Sequence, residues 1–215
     1  MSITTITLNG NPVSVVTLPA SPGFRSVEFS YSNAVAIVTS IFTGQTQAQR
    51  WPGADLWSGK ATLPQLTQVQ ADGWLAALMQ LGGMTNAFML GDPLKKTPRG
   101  SALGAPAVDG SIAMSAGGST LYTYGWTASQ NGLLLPGDYL QAGYRLYRAL
   151  EAVNSDSNGK AAISVGPSLR EVPANGTPLV LNGAKGLFRL ADNKMTWSAD
   201  YTRLSSITIP FMEYR

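Results

Sequence analysis

Three polar residues and a glycine have the spacing of the first half of a calcium-binding loop. Asn154, Asp156, Asn158 and Gly159 match the start of the pattern in which alternate side-chain oxygens surround the ion. The pattern also needs a bidentate glutamate at its twelfth position, which is Val165 here. Asn and Gly are equally the residues that accept the backbone geometry of a tight turn. We therefore interpret the segment as a hairpin turn and expect no metal site.

Catalytic chemistry has little support in this chain. Neither cysteine nor histidine is present, so disulfides, thiolate nucleophiles and every scheme that needs an imidazole are excluded. A glycosidase needs two carboxylates across a cleft. The glutamates Glu151 and Glu171 lie near arginines in the sequence, which favours surface ion pairs, and the others are Glu28 and Glu213. We expect no enzymatic activity and no cofactor, and a cell-wall hydrolase is the weakest alternative.

The composition favours a protein that covers its surface with other protein. The chain has 215 residues, of which 44% are hydrophobic and 13% charged, against a usual charged share of about 25%. The net charge of +3 comes from scattered basic residues, not from the basic stripe of a nucleic-acid binder. The N-terminal sequence lacks the pattern of a signal peptide. No apolar run approaches the ~20 residues of a membrane span, so we expect no membrane contact.

Periodicity predicts a mainly β protein with one helix. Residues 3–8 and 13–18 alternate around Asn9-Gly10, the signature of a hairpin. A period near 3.6 predicts a helix over 65–81, with a buried face formed by Leu66, Val69, Trp74, Ala77, Leu78 and Leu81. Residues 91–110 are rich in Pro and Gly and read as a linker or long loop. Short strands are predicted over 112–181, as in a small barrel. Two more strands are predicted over 194–214.

Several segments resemble proteins of bacteriophage tails. They are Phe-Thr-Gly-Gln at 42–45, Trp-Pro-Gly-Ala-Asp-Leu-Trp-Ser-Gly at 51–59, Asn-Ala-Phe at 86–88, Gly-Asp-Pro at 91–93, the strand-and-turn cassette at 125–170, Gly-Leu-Phe-Arg-Leu at 186–190, and Trp197, Ser198 and Tyr201. In this order the chain resembles minor structural proteins of long-tailed (siphovirus) phages, and most closely the distal tail proteins at the end of the tail tube.

The resemblance implies a two-part structural protein. Residues 1–95 and 186–215 would form a β-sandwich with a flanking helix, and residues 96–185 an inserted small β-barrel, OB-like or galectin-like. The sandwich domains would assemble into a ring, usually hexameric, between the tail tube protein and the tip hub and fibre proteins. Its lumen would admit DNA and the tape-measure protein. The protein would be part of the virion, at the tail tip, and assemble in the host bacterial cytoplasm.

Two sets of residues are candidates for contacts. Glu28 and the strand residues Gln45, Gln47 and Gln49 are candidates for contacts between subunits of a ring, which needs surfaces that pair heterologously. The aromatic residues Tyr139, Tyr144 and Trp126 are candidates for stacking on a glycan, although core packing is the ordinary role of large aromatics. The alternatives therefore stay open: a carbohydrate-binding module at the tail tip, or a tail-tube or tail-terminator subunit.

Overall fold

The computed structural model describes residues 2–199 and 205–215, and within them the chain is mainly β with one helix. The elements in chain order are β1 Ile3–Leu8, β2 Asn11–Val16, β3 Ser26–Ser32, β4 Val35–Thr39, β5 Thr46–Arg50, β6 Leu56–Thr62, α1 Gln68–Gln80, β7 Ala87–Leu90, β8 Gly104–Val108, β9 Thr120–Trp126, β10 Tyr139–Ala142, β11 Arg145–Ala149, β12 Ala161–Gly166, β13 Leu179–Val180, β14 Gly186–Leu190, β15 Trp197–Ala199 and β16 Ser205–Glu213. The prediction of a mainly β fold is confirmed.

The larger of the sheets takes its strands from both ends of the chain. Its order is β1-β2-β7-β14-β16-β6-β3, and β15 pairs with β16 at the side of this path. The β1–β2 hairpin turns at Asn9 and Gly10, whose φ angles of 50° and 79° are those that Asn and Gly tolerate best. Strand β3 forms one end of the sheet, because in the described residues it pairs with β6 alone.

The middle of the chain forms a nearly closed, barrel-like sheet of six strands. Its order is β13-β10-β11-β12-β9-β8. The two ends of this order meet at an isolated bridge between Ala107 and Pro178, and the Val108 N–H donates to the Thr177 carbonyl at 2.9 Å. Leucine, valine and isoleucine side chains from these strands fill the interior, together with Trp126 and Tyr147.

Helix α1 covers one face of the larger sheet. The Thr67 N–H donates to the Gln70 side chain at 3.1 Å at the start of the helix, as in the capping arrangement that satisfies a free helical N–H. Trp74 and Leu78 are buried against the sheet. Val69 is 82% exposed, so its predicted burial is wrong. It lies two residues from the buried Ala71, which places it on the other side of a helix with 3.6 residues per turn.

The aromatic centre of the larger sheet lies where its strands meet the barrel-like sheet. Phe29, Phe188 and Phe211 pack in tilted and edge-to-face pairs with ring centroids 5.1 to 6.1 Å apart, the geometry that aromatic quadrupoles favour. The Trp57 indole N–H donates to the Leu146 carbonyl of β11 at 3.0 Å. This bond joins the two sheets through a buried side chain.

The structure also corrects the prediction of a linker or long loop over residues 91–110. Residues 91–110 are not loop throughout, because β8 lies within them and pairs with β9. The sequence did not predict this strand because Pro106 has no N–H to donate to a neighbouring strand. Proline is nevertheless tolerated where strand pairing is irregular, and the register of β8 with β9 shifts between Gly104 and Ala107. In the C-terminal unit, Tyr201 and Leu204 lie outside the described residues. No helix in the described chain has the length and apolar character needed to cross a membrane.

Candidate interaction surface

A two-stranded hairpin stands apart from both sheets. Strands β4 and β5 pair only with each other in the described structure, and every residue of both strands is exposed. We call β4, β5 and the loop between them, residues 35–50, the hairpin arm. A two-stranded hairpin without a covering layer is marginally stable in water. This arm is therefore the part of the fold that gains most from a partner.

The composition of the arm is unusual for an exposed segment. No charged residue occurs between Glu28 and Arg50. The register Ile37↔Ala48 places Val35, Ile37 and Ala48 on one face of the arm, with Arg50 at its base, and Val38 on the other face, since alternate residues of a strand share a face. Large, uncharged and exposed surfaces of this kind mark interaction sites in proteins that are otherwise well folded.

The tip of the arm is its most apolar part. The loop is closed by two backbone hydrogen bonds, Ser40 N–H to the Gln45 carbonyl at 2.8 Å and Gly44 N–H to the Ser40 carbonyl at 2.9 Å. Between them, Ile41 is 90% exposed and Phe42 is 91% exposed. Two large hydrophobic side chains are unusual at a turn, because turns favour Gly, Asn, Asp, Ser and Pro.

Both ends of the arm converge on one buried carboxylate. Asp55 is almost fully buried and accepts a hydrogen bond from the Tyr31 hydroxyl at 2.8 Å, on the N-terminal side of the arm. On the C-terminal side, the Arg50 guanidinium lies 3.4 Å from the same oxygen. The Ser168 N–H, from the loop after β12, donates to this carboxylate at 2.7 Å. The Ser168 hydroxyl donates to its other oxygen.

A buried arginine extends this network to the larger sheet. Arg170 contacts Glu213 of β16 through two nitrogens, at 3.1 and 3.3 Å, and lies 3.6 Å from Asp55. Two-point contacts between a guanidinium and a carboxylate fix orientation as well as distance. We call Tyr31, Arg50, Asp55, Ser168, Arg170 and Glu213 the Asp55 junction. It holds the base of the arm firmly against both sheets.

The ionisation of the junction follows from its hydrogen bonds. Burial acts to raise the pKa of Asp55, but the hydrogen bonds from Ser168 and Tyr31 and the charge of Arg170 outweigh it, and the pKa lies below its ordinary value. Burial and the hydrogen bond to Asp55 raise the pKa of Tyr31 to about 12. The carboxylate is therefore ionised and the phenol neutral at physiological pH, which is the state that the contacts require.

An aromatic cleft lies beside the base of the arm. It has a volume of about 410 Å³, and its apolar lining consists of Val27, Phe29, Tyr31, Trp57, Tyr139 and Leu150. Its charged lining residues are Asp92 and Arg148, and the Arg148 guanidinium lies 5.3 Å from the centre of the Tyr139 ring. We call this the aromatic cleft. A cavity of this size and lining is typical of binding sites.

The predicted inter-subunit residues fall on the arm and the neighbouring edge strand. Gln47 and Gln49 lie on β5, Gln45 lies in the tip loop, and all three are exposed. Glu28 is exposed on β3, opposite Lys60 of β6. The structure thus brings three of the four onto one protruding element. Whether they contact another subunit stays a prediction.

The predicted glycan-stacking residues are not gathered at one place. Tyr139 lines the aromatic cleft, whereas Trp126 and Tyr144 do not. Trp126 is buried in the barrel-like sheet, and its indole N–H donates to the Thr123 hydroxyl at 2.8 Å. Tyr144 is partly exposed next to β11. The aromatic cleft therefore contains one of the three, and their joint role on one glycan stays a prediction.

The other candidate chemistry resolves into structural contacts. Asp156 accepts hydrogen bonds from the Asn158 and Lys160 N–H groups at 2.8 Å each, which closes the turn predicted there. Glu171 does form an ion pair, but with Arg145 at 3.3 Å and not with the neighbouring Arg170. Arg145 is buried and also lies 3.7 Å from Glu213, so the pair is only partly at the surface. Within 2–199 and 205–215, no cluster of three or more potential metal ligands occurs.

Sequence reasoning missed the Asp55 junction. Its members come from five separated segments, and no local pattern marks Asp55, Ser168 or Glu213 as partners. The apolar tip of the arm did carry a signal, since Ile41 and Phe42 precede the predicted turn at Thr43-Gly44 in a stretch without charge. No family model matches the chain, and no curated protein matches it either. The resemblance to distal tail proteins accordingly stays a prediction from the sequence segments alone.

Proposed function

We propose that this protein is a structural, ring-forming component of a siphophage tail, most similar in role to a distal tail protein, with no enzymatic activity. The observation that supports self-assembly is the hairpin arm: it is uncharged before Arg50, apolar at its tip, and uncovered in the single chain. Burying apolar surface is favourable by about 25 cal/mol per Å². A second copy is the partner that a ring always supplies.

The structure of the junction supports a mechanical role. A subunit of a tail must hold its contact elements at a fixed angle under load, and the Asp55 junction connects the arm to both sheets through buried polar contacts. In this proposal residues 1–95 and 186–215 form the ring domain, in a β-sandwich, and residues 96–185 form an OB-like or galectin-like accessory domain. The partners are the tail tube, the tip hub and the fibre proteins.

The test is the mass of the protein in solution. Wild-type protein at increasing concentration should form a species of several copies in sedimentation or native mass spectrometry. The double variant Ile41→Ser and Phe42→Ser should stay a single chain. Its unfolding midpoint should equal that of the wild type at a dilution where the wild type is also a single chain, because both side chains are exposed. A wild-type protein that is a single chain at every concentration, alone and in tail preparations, contradicts the proposal.

A second candidate is a carbohydrate-binding module at the tail tip. The observation that favours it is the aromatic cleft, which combines the Tyr139 and Trp57 rings with the polar groups of Asp92 and Arg148. A glycan array decides between the two: binding that is lost in Tyr139→Ala, in a protein that remains a single chain, supports the module. A tail-tube or tail-terminator subunit would also form rings, and locating the chain in an imaged tail distinguishes these from a distal tail protein.

A further inference from the structure

We propose that the tip of the hairpin arm of one copy docks in the aromatic cleft of the next copy. This inference rests on the proposed self-assembly and names the two surfaces that carry it. The tip does not occupy the cleft of its own chain, since Ile41 and Phe42 are almost fully exposed. The cleft therefore remains available to a tip that comes from another molecule.

The chemistry of the two surfaces is matched. The tip offers one aromatic and one aliphatic side chain with no charge on the arm before Arg50. The cleft offers four aromatic lining residues, and its charged residues Asp92 and Arg148 have opposite signs. The cleft thus has no formal net charge to repel an uncharged tip. An aromatic anchor in a pocket is the usual centre of a protein interface.

The edge of the larger sheet adds a second component beside the cleft. Val27, Phe29 and Tyr31 line the cleft from one face of β3, and β3 is the end strand of its sheet. Such a strand presents unpaired N–H and C=O groups to an incoming strand. An arm whose tip lies in the cleft can pair one of its strands with this edge, which covers both the arm and the edge of β3.

The proposed contact is heterologous, because the tip and the cleft are different surfaces. Heterologous contacts generate a closed ring when the rotation between copies closes, and a filament when it does not. Tyr31 belongs to both the cleft and the Asp55 junction, so each arm begins beside the cleft of its own chain. Arms and clefts would then alternate in one continuous belt around the assembly.

The experiment blocks each surface separately. The tip variant is Ile41→Ser with Phe42→Ser. The cleft variant is Leu150→Lys, which places a charge on a lining residue that is 53% exposed and so tolerates the change. The control is Val69→Lys, which places the same charge on an apolar residue of α1 that is 82% exposed and lies outside the tip and the cleft. Circular dichroism and the unfolding midpoint establish that all variants fold.

We expect the wild type and the control to assemble and the tip and cleft variants to remain single chains. Trapping by disulfides then identifies the contact, because the chain has no cysteine of its own. Mixed Phe42→Cys and Leu150→Cys chains should form a disulfide-linked pair of twice the single-chain mass under oxidation. Each single-cysteine variant alone should give at least tenfold less.

The outcomes separate this inference from the proposed function. Normal assembly of the cleft variant, or equal linking of Phe42→Cys to itself, overturns docking of the tip in the cleft and leaves ring formation standing. A wild-type protein that never assembles overturns both. If the wild type stays a single chain and binds glycans, and the cleft variant loses that binding, the occupant of the cleft is a carbohydrate and not a second copy.

Discussion

Replacing Arg170 by methionine tests whether the Asp55 junction fixes the arm to the two sheets. The Arg170 side chain is 7% exposed and contacts both Asp55 and Glu213. Methionine preserves the length and much of the apolar volume but removes the positive charge. The variant therefore removes the one guanidinium that contacts both buried carboxylates, and leaves Asp55 with Arg50 and Glu213 with Arg145.

The magnitude follows from the burial of the pair. Removing one partner of a buried ion pair costs about 3–5 kcal/mol, since the remaining charge stays desolvated. The matched variant is Arg50→Met, which removes a guanidinium 3.4 Å from the same Asp55, but whose side chain is 53% exposed. An exposed pair contributes about 0–1 kcal/mol. The two substitutions are chemically identical, and the arginines differ in their exposure and in the number of carboxylates that they contact.

The assay is urea unfolding at neutral pH, followed by tryptophan fluorescence. Arg170→Met should lower the free energy of unfolding by at least about 3 kcal/mol, and Arg50→Met by less than about 1 kcal/mol. Hydrogen exchange should accelerate at both ends of the arm in Arg170→Met only. Equal, small losses in the two variants would refute the view that the junction depends on buried charge.

Acidification tests the same junction through Asp55. Its pKa in the folded protein lies below its ordinary value of 3.8. The stability that this shift contributes is therefore present above 3.8 and is lost as the pH falls through the folded pKa. Between about pH 5 and about pH 3, the wild type should lose more stability than Asp55→Asn, which has no carboxyl group to protonate at this position. Equal losses would contradict the assigned ionisation.

Two further pairs of substitutions test the packing of the sheets by urea unfolding. Gly59→Ala would place a Cβ 1.8 Å from a carbonyl oxygen of β3 and should lower the free energy of unfolding by about 3 kcal/mol or more. The control is Gly23→Ala, which has nothing within 4 Å of the added atom. Equal stability of the two variants would contradict the close approach of β3 and β6. Thr123→Val leaves the buried Trp126 N–H without its acceptor and should lower the free energy of unfolding by about 1–3 kcal/mol. Tyr147→Phe removes a buried hydroxyl that has no partner in the described structure. A loss above about 1 kcal/mol in Tyr147→Phe would argue against the burial of this hydroxyl without a partner.

Much of the fold follows from local patterns in the sequence. The β1–β2 hairpin follows from Asn-Gly between alternating residues, and α1 from its buried Trp74 and Leu78. Strand β8 did not follow from such a pattern, because Pro106 and the nearby glycines have the composition of a linker. Its strand structure depends on pairing with β9, which local composition does not reveal. Whether a segment forms a helix or a strand is decided within a few residues, whereas the partner of a strand is decided by the other strands of the fold.

The interaction surface shows the same limit more sharply. Sequence reasoning selected Gln45, Gln47 and Gln49, which do lie on the arm. It did not reveal that, among the described residues, β4 and β5 pair with neither sheet, since an alternating strand looks the same whether it is central or isolated. The junction beneath the arm joins residues more than a hundred positions apart, such as Asp55 and Ser168. Such contacts depend on the completed fold.

Electron microscopy of the concentrated wild-type protein tests ring assembly most directly. The proposed function predicts annular particles with a central opening, in which neighbouring copies are joined through the arms, and predicts that these particles disappear when Ile41 and Phe42 are both replaced by serine. Isolated particles of single-chain size in the wild type, or unchanged rings in the double variant, would contradict it.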